Sequence, residues 1–452
     1  MKIKFLGATK TVTGSKYLLE IKNKKILIDC GLFQGYKALR LRNWEKFPLD
    51  PATIDAVVIT HAHIDHTGYL PLLVKNGFQG PIYSTAATYD LCKILLPDSG
   101  YLHEEEAKRA NKYGYSKHHP ALPLYTKEDA EIALKQFNTI AFDKPFSITD
   151  QGTVSFHRAG HILGAAFVQF DIEGIRVLFT GDMGRLQDSI MKPPAIIHST
   201  DYLIIESTYG NRLHEKEDIQ ARIAKIVNET AKRGGTVLIP SFAVGRAQSI
   251  LYYLFKLKEA GRIPNIPIYL DSPMAINATE LLCKYNSEHQ LSKSECHLIC
   301  NVATYVHTPD ESKAIAQQPM PKIIISASGM MTGGRILHHL KVFAPDSRNT
   351  ILMTGYQAGG TRGARMLAGE KETKIHGQMI PVKAQLEYLT NTSAHADYEE
   401  MITWLKQFQH PPKKVFITHG EQAGSLGLKD QIEAQLGWLC NIPDYLDEAV
   451  LS

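Results

Sequence analysis

The run His61-Ala62-His63-Ile64-Asp65-His66 constrains this chain more than any other feature. It follows the apolar stretch Ala56-Val57-Val58-Ile59-Thr60 and comes just before Gly68, so a buried strand delivers four metal-capable side chains onto one turn. On a turn they point in different directions and can serve two neighbouring cations instead of crowding one. Further ligands must then come from elsewhere in the chain.

Three later positions have the right character: His161 in Gly160-His161-Ile162, Asp182 in Thr180-Gly181-Asp182 and His419 in Thr418-His419-Gly420. Each follows or faces a strand and abuts a small residue, which lets backbone and metal approach closely. Val415-Phe416-Ile417-Thr418-His419 echoes Val57-Val58-Ile59-Thr60-His61, an apolar strand with a histidine at its C-terminal edge. Nitrogen and oxygen donors without thiolates suit zinc, with manganese or iron as alternatives.

At 452 residues the chain exceeds one ordinary core, so about two domains, or one with a large insertion, are expected. Hydrophobic residues make up 44% and charged residues 21%, a globular balance with no apolar run long enough to span a bilayer. The N-terminus runs directly into a strand pattern without a secretory signal, so a cytoplasmic location and no membrane partner are expected. Six scattered cysteines read as reduced thiols, Cys296 and Cys300 as buried apolar ones. A net charge of +4 excludes a polycation that coats nucleic acid indiscriminately; a polyanion would need a local site.

Short strands dominate the first part: Ile3-Phe5, Ser15-Ile21, Lys25-Asp29 and Ala56-Thr60, with Val154-His157, Ala165-Asp171, Arg176-Thr180 and Tyr202-Glu206 after a helical stretch. Beyond Glu206 strands alternate with helices, which implies a parallel α/β sheet over about 207–374. The acidic and basic run at Glu104 to Arg109 reads as a solvated helix face, and His118-His119-Pro120 as an exposed loop.

The histidine run with His161, Asp182 and His419 resembles the metallo-β-lactamase superfamily. Ile205-Glu206-Ser207-Thr208-Tyr209-Gly210, Ser393-Ala394-His395-Ala396-Asp397 and Ile417-Thr418-His419-Gly420 further resemble the motifs of its β-CASP nucleases. The histidine of the last motif is similar to RNA-processing members, where DNA-repair members tend to carry valine. Pro240-Ser241-Phe242-Ala243-Val244-Gly245-Arg246, Ser326-Ala327-Ser328-Gly329-Met330 and Thr354-Gly355-Tyr356-Gln357 also match, so the likeness runs almost end to end. It is strongest to bacterial and archaeal relatives of the cleavage and polyadenylation endonuclease subunit.

The resemblance implies an αββα metallo-β-lactamase fold from 1–206 and 375–452, interrupted by a Rossmann-like β-CASP domain at 207–374. It assigns His61, His63 and His161 to one zinc, Asp65, His66 and His419 to a second, and Asp182 as the bridge. Two such ions lower the pKa of a shared water so that hydroxide exists near neutrality. His395 is implied as general acid, oriented and kept protonated by Glu206, and Asp29 as a residue that orients a ligand imidazole. Arg246, Ser328, Gly329, Arg335 and Thr361 are candidate phosphate contacts, from a glycine-rich turn and forked guanidinium groups. The implied substrate is single-stranded RNA, cut by endonuclease action and, as an open alternative, exonuclease action; a homodimer is also left open. A DNA nuclease, a thioester or lactam hydrolase and a non-catalytic RNA-binding subunit are the competing classes.

Overall fold

A computed structural model describes residues 1–114, 116–150, 152–319 and 321–452. Two compact units divide the chain: Met1–Leu213 with His395–Ser452, and His214–Ala394.

The first unit holds two seven-stranded sheets. In one, Lys2–Phe5, Tyr17–Ile21 and Lys24–Ile28 form an antiparallel meander, which Ala56–Val58, Ile82–Ser84 and Phe137–Thr139 extend in parallel; Glu448–Val450 closes the other edge against Lys2–Phe5. In the other, Phe146–Thr149, Gly152–Arg158, Ala166–Ile172 and Ile175–Phe179 run antiparallel; Tyr202–Ile205, Lys414–Ile417 and Cys440–Asn441 then add in parallel.

Alternation decides which faces meet. Ile3, Phe5, Leu19, Ile26, Ile28 and Val58 of one sheet pack against Phe156, Val168, Phe170, Phe179, Ile204 and Phe416 of the other in a single core. The opposite faces are buried too, as Leu27, Val57 and Phe167 attest. Phe167 points away from that core, its ring 5.1 Å from Trp404 in the helix Tyr398–Leu405. With helices Leu70–Lys75, Ala86–Tyr113 and Lys127–Leu134 grouped together, the layers are the expected αββα.

The second unit is a six-stranded sheet, parallel at every pairing, in the order Thr304–Tyr305, Ile268–Asp271, Lys322–Ser326, Thr236–Pro240, Thr350–Thr354, Gln385–Leu389. Helices such as Arg246–Glu259 and Ile336–Phe343 follow its strands, the α/β alternation of a Rossmann-like domain. This unit ends at Ala394, whereas the sequence pattern put its end at 374. The reason is pairing: Gln385–Leu389 lies beside Thr350–Thr354, and Ile375 and Ile380 of the intervening hairpin join the insert's own core.

All six cysteines are free thiols, with Cys296 buried and Cys300 only half-buried. Glu105 pairs with Lys108 on an exposed helix face, and His118 and His119 are exposed.

Candidate metal centre

The strand Ala56–Val58 ends under a one-turn helix, Ile64–Thr67, whose N-cap is His63. Backbone bonds clamp this turn from the neighbouring strand ends: Ser15 N to Asp65 O at 2.8 Å, Cys30 N to His66 O at 2.7 Å and Leu32 N to Ile64 O at 2.9 Å. Gly31 is required there, because a Cβ would lie 1.6 Å from the Asp65 carbonyl oxygen. His161 follows Gly152–Arg158, Asp182 follows Ile175–Phe179 and His419 follows Lys414–Ile417, so strand ends of the second sheet face the histidine turn of the first. Asp29 and His419 hold φ of +55° and +46°, the left-handed region that non-glycine residues adopt mainly where surrounding structure enforces it.

Two donor sets result. His61 Nε2 lies 3.1 Å from His63 Nδ1, and His161 Nε2 lies 3.3 Å from the same atom. Asp182 Oδ2 is 3.3 Å from His61 Nε2 and 3.5 Å from His161 Nε2. On the other side His66 Nε2 and His419 Nε2 are 3.1 Å apart, with Asp65 Oδ2 3.5 Å from His419 Nε2. Asp182 Oδ1 lies 3.2 Å from His66 Nε2, so each oxygen of this one carboxylate faces a different set. Ligands about 2.0–2.1 Å from a tetrahedral ion stand about 3.3 Å from one another, the spacing these atoms keep. The donor set therefore fits divalent metal, and every one of these residues is buried except His63 and Asp65, which are partly so.

Side chains behind the cage fix which ring nitrogen carries a proton. His66 Nδ1 lies 2.7 Å from Asp29 Oδ2, and His61 Nδ1 lies 3.1 Å from Thr60 Oγ1, which itself donates to Asp29 Oδ2 at 2.8 Å. His419 Nδ1 faces Thr208 Oγ1 at 3.2 Å, and that hydroxyl donates to the His419 carbonyl. Each arrangement engages Nδ1, so that Nε2 is the ring atom aimed inward. Burial and the neighbouring His66 push His61 down to about 3, and burial, with His395 nearby, holds His161 well below its ordinary value. Burial opposes a charge on His66, yet Asp182 and Asp29 raise it well above the usual imidazole value. Burial alone would raise Asp182; His419, His66 and His61 hold it well below the carboxylate range.

His395 stands beside the cage, bridged through its backbone to Gly184. Its Nδ1 meets both oxygens of buried Glu206, at 2.9 and 3.1 Å, and its Nε2 lies 3.9 Å from Asp182 Oδ2. Glu206 is itself fixed by the backbone N–H groups of Met183 at 2.7 Å and Thr208 at 3.2 Å. Burial disfavours the imidazolium, but Glu206 and Asp182 prevail and raise His395 to about 9. The arrangement holds a proton on a ring whose Nε2 faces Asp182 and the donor sets.

The five candidate phosphate contacts all lie in the second unit, outside this cluster. Arg335 donates to Asp271 Oδ1 at 2.6 Å and to the carbonyls of Val306 and His307, so its fork serves the interior of the unit. Thr361 is buried and caps the helix Arg362–Leu367. Arg246 is buried, donates to Thr392 Oγ1 at 2.9 Å and crosses Gly355, where a Cβ would lie 2.1 Å from Nη1. Ser328 accepts from Thr332 N at 3.0 Å, and Gly329 packs on Phe242 while its carbonyl accepts from Gln357. Thr60 and Thr208 were not singled out from the sequence; the available signal was their place in the motifs, Thr60 next to His61 and Thr208 two residues after Glu206.

Fold and site together define a metal-dependent hydrolase of the metallo-β-lactamase type. Residues 11–224 match the profile of the metallo-β-lactamase superfamily, 247–366 that of the Beta-Casp domain and 379–443 that of the Zn-dependent metallo-hydrolase RNA specificity domain. The chain is 36% identical to a Thermus thermophilus protein named Ribonuclease TTHA0252, over 95% of each chain. It is 33% identical to a transcription termination factor, FttA, of Methanosarcina mazei, over 96% of this chain and 69% of the relative. An RNase J-like protein of Methanocaldococcus jannaschii is 30% identical over 94% of this chain and 93% of its own length. A crystal structure of a protein of unknown function from Enterococcus faecalis shares the fold, with a TM-score of 0.57 at 12% identity over 100% of this chain and 99% of that one. The protein belongs to the β-CASP family of the metallo-β-lactamase superfamily.

Proposed function

We infer that this protein hydrolyses phosphodiester bonds of single-stranded RNA in the cytoplasm, with two zinc ions held by His61, His63 and His161 on one side and Asp65, His66 and His419 on the other. The observation that carries the reading is the sharing of Asp182, one oxygen toward each donor set, with the Glu206–His395 pair 3.9 Å away. Relatives named as ribonucleases support RNA as the polymer. When bound, the cations supply Lewis acidity to water and to the phosphate oxygens. Asp182 holds the two positions together. Asp29, Thr60 and Thr208 keep the ligand lone pairs inward. His395 carries the proton that the departing oxygen needs, and Glu206 orients the ring and keeps that proton in place. No helix among the described residues is long and apolar enough to cross a membrane.

The test is cleavage of 5′-end-labelled single-stranded RNA by zinc-loaded or manganese-loaded protein. Wild type should cut, Asp182→Asn should not, and His395→Ala should be slower by about 10²- to 10⁴-fold, the usual worth of a general acid. Intact RNA with wild type, or equal rates for His395→Ala and wild type, would sink the proposal.

A further inference from the structure

The segment from Tyr36 to Lys46 makes no use of the core. Its helix Lys37–Arg42 has no buried side chain, and three large apolar residues stand in solvent: Tyr36 at 56%, Leu41 at 52% and Trp44 at 59% exposure. Lys37, Arg40 and Lys46 are exposed among them and have no carboxylate partner among the described residues. Yet the segment is firmly tied. Asn43 closes it by accepting from Phe33 N at 2.9 Å and donating to Phe33 O at 2.8 Å, and Arg42 lies 4.3 Å over the Tyr445 ring. Buried Phe47 then re-enters the fold against Tyr69, with ring centroids 5.6 Å apart.

Its place matters. Leu32 N bonds the carbonyl of Ile64, next to Asp65, and Tyr36 is four residues further on. At most about 14 Å of extended chain separates them. The Asn43 clasp brings the other end back to the same neighbourhood. Flat aromatic faces interleaved with unpaired cations match a partner with stacked bases and a repeating negative charge, one phosphate for each base.

We propose that Tyr36, Lys37, Arg40, Leu41, Trp44 and Lys46 form a surface that holds single-stranded RNA beside the metal centre, with bases stacked on Tyr36 and Trp44 and phosphates met by the three cations. The proposal rests on the reading of the protein as an RNA hydrolase.

The chain supplies its own reporter, because Trp44 is exposed while the other two tryptophans, Trp404 at 2% and Trp438 at 9%, are buried. Tryptophan emission is titrated with single-stranded oligoadenylate in the non-cleaving Asp182→Asn background. The exposed component should quench, and Trp44→Ala should weaken binding by about 5- to 150-fold while Trp44→Phe restores most of it. Replacing Lys37, Arg40 and Lys46 by glutamine should reduce the slope of log K against log salt by about 2, at about 0.7 per phosphate contact. Sedimentation of the same proteins covers the other occupant. Self-association that Trp44→Ala abolishes, with RNA affinity unchanged, would make the patch a contact between copies of this chain and overturn the proposal. Unaltered emission and affinity, with RNA still cut by wild type, would overturn it as well and leave the hydrolase reading standing.

Discussion

Replacing Asp29 by asparagine exchanges one oxygen for an NH₂ group and should disturb both metal positions, although Asp29 belongs to neither donor set. Its Oδ1 accepts from Thr60 N at 2.8 Å, while Oδ2 accepts from Thr60 Oγ1 at 2.8 Å and from His66 Nδ1 at 2.7 Å. In Asp29→Asn the oxygen stays with the Thr60 N–H and an amide NH₂ takes the place of Oδ2. That NH₂ can bond His66 only if Nδ1 is an acceptor, which moves the ring proton to Nε2. It also turns the Thr60 hydroxyl proton away, toward His61 Nδ1 at 3.1 Å, and drives the His61 proton to its own Nε2. One ligand of each set loses its inward lone pair. The flipped amide avoids this only by setting N–H against the buried Thr60 N–H, at a cost of about 1–3 kcal/mol. Loss of such an orienting partner weakens metal binding about 10- to 100-fold, or about 1.4–2.7 kcal/mol, and here the effect should appear at each position. Competition between the metal-free protein and a chromophoric chelator measures both zinc affinities, with circular dichroism confirming that the variant is folded. Wild-type affinity at both positions in folded Asp29→Asn would refute the proton-relay argument.

Two further outcomes follow from the charges. Glu206→Gln removes the carboxylate that raises His395, so the alkaline limb of the kcat profile should move to lower pH: the acid must be protonated, and activity is lost as pH rises through its pKa. Bound cations near Asp182 also lower that pKa, so the wild-type limb belongs below about 9; an unmoved limb in the variant would count against His395 as the acid. In the metal-free protein His66 is raised well above its ordinary value, so near neutrality it carries a proton that a cation must displace. Zinc affinity should therefore fall as pH drops, by about tenfold per unit between about pH 6 and 8, and calorimetry in buffers of different ionisation enthalpy should register the released proton; a pH-independent affinity would contradict it.

The cage was legible in the sequence because a strand end is a local signal. Ala56–Val58 and Lys414–Ile417 are apolar runs that stop at a histidine, and the structure brings those histidines, with His161 and Asp182, to one place. The insert's far boundary was not legible in the same way. Gln385–Leu389 looks like any short strand, and its membership in the second sheet depends on Thr350–Thr354, a partner that local pattern does not name. Arg335 shows the same difficulty with side chains: a fork after a glycine-rich turn suits a phosphate, but buried Asp271 from a distant strand occupies it. Thr60 and Thr208 were missed because a threonine hydroxyl acquires its role only from the ring it faces.

The closing of the first sheet bears on how the protein is made. Lys2–Phe5 is synthesised long before Glu448–Val450, the strand that meets its outer edge, and Leu451 N bonds the Met1 carbonyl. His395 and His419 likewise emerge only after the whole insert has been synthesised. A polypeptide stalled on the ribosome at any point before them lacks both the imidazole beside Glu206 and the one beside His66, so translation itself delays completion of the donor cluster in a nuclease that is built beside a messenger.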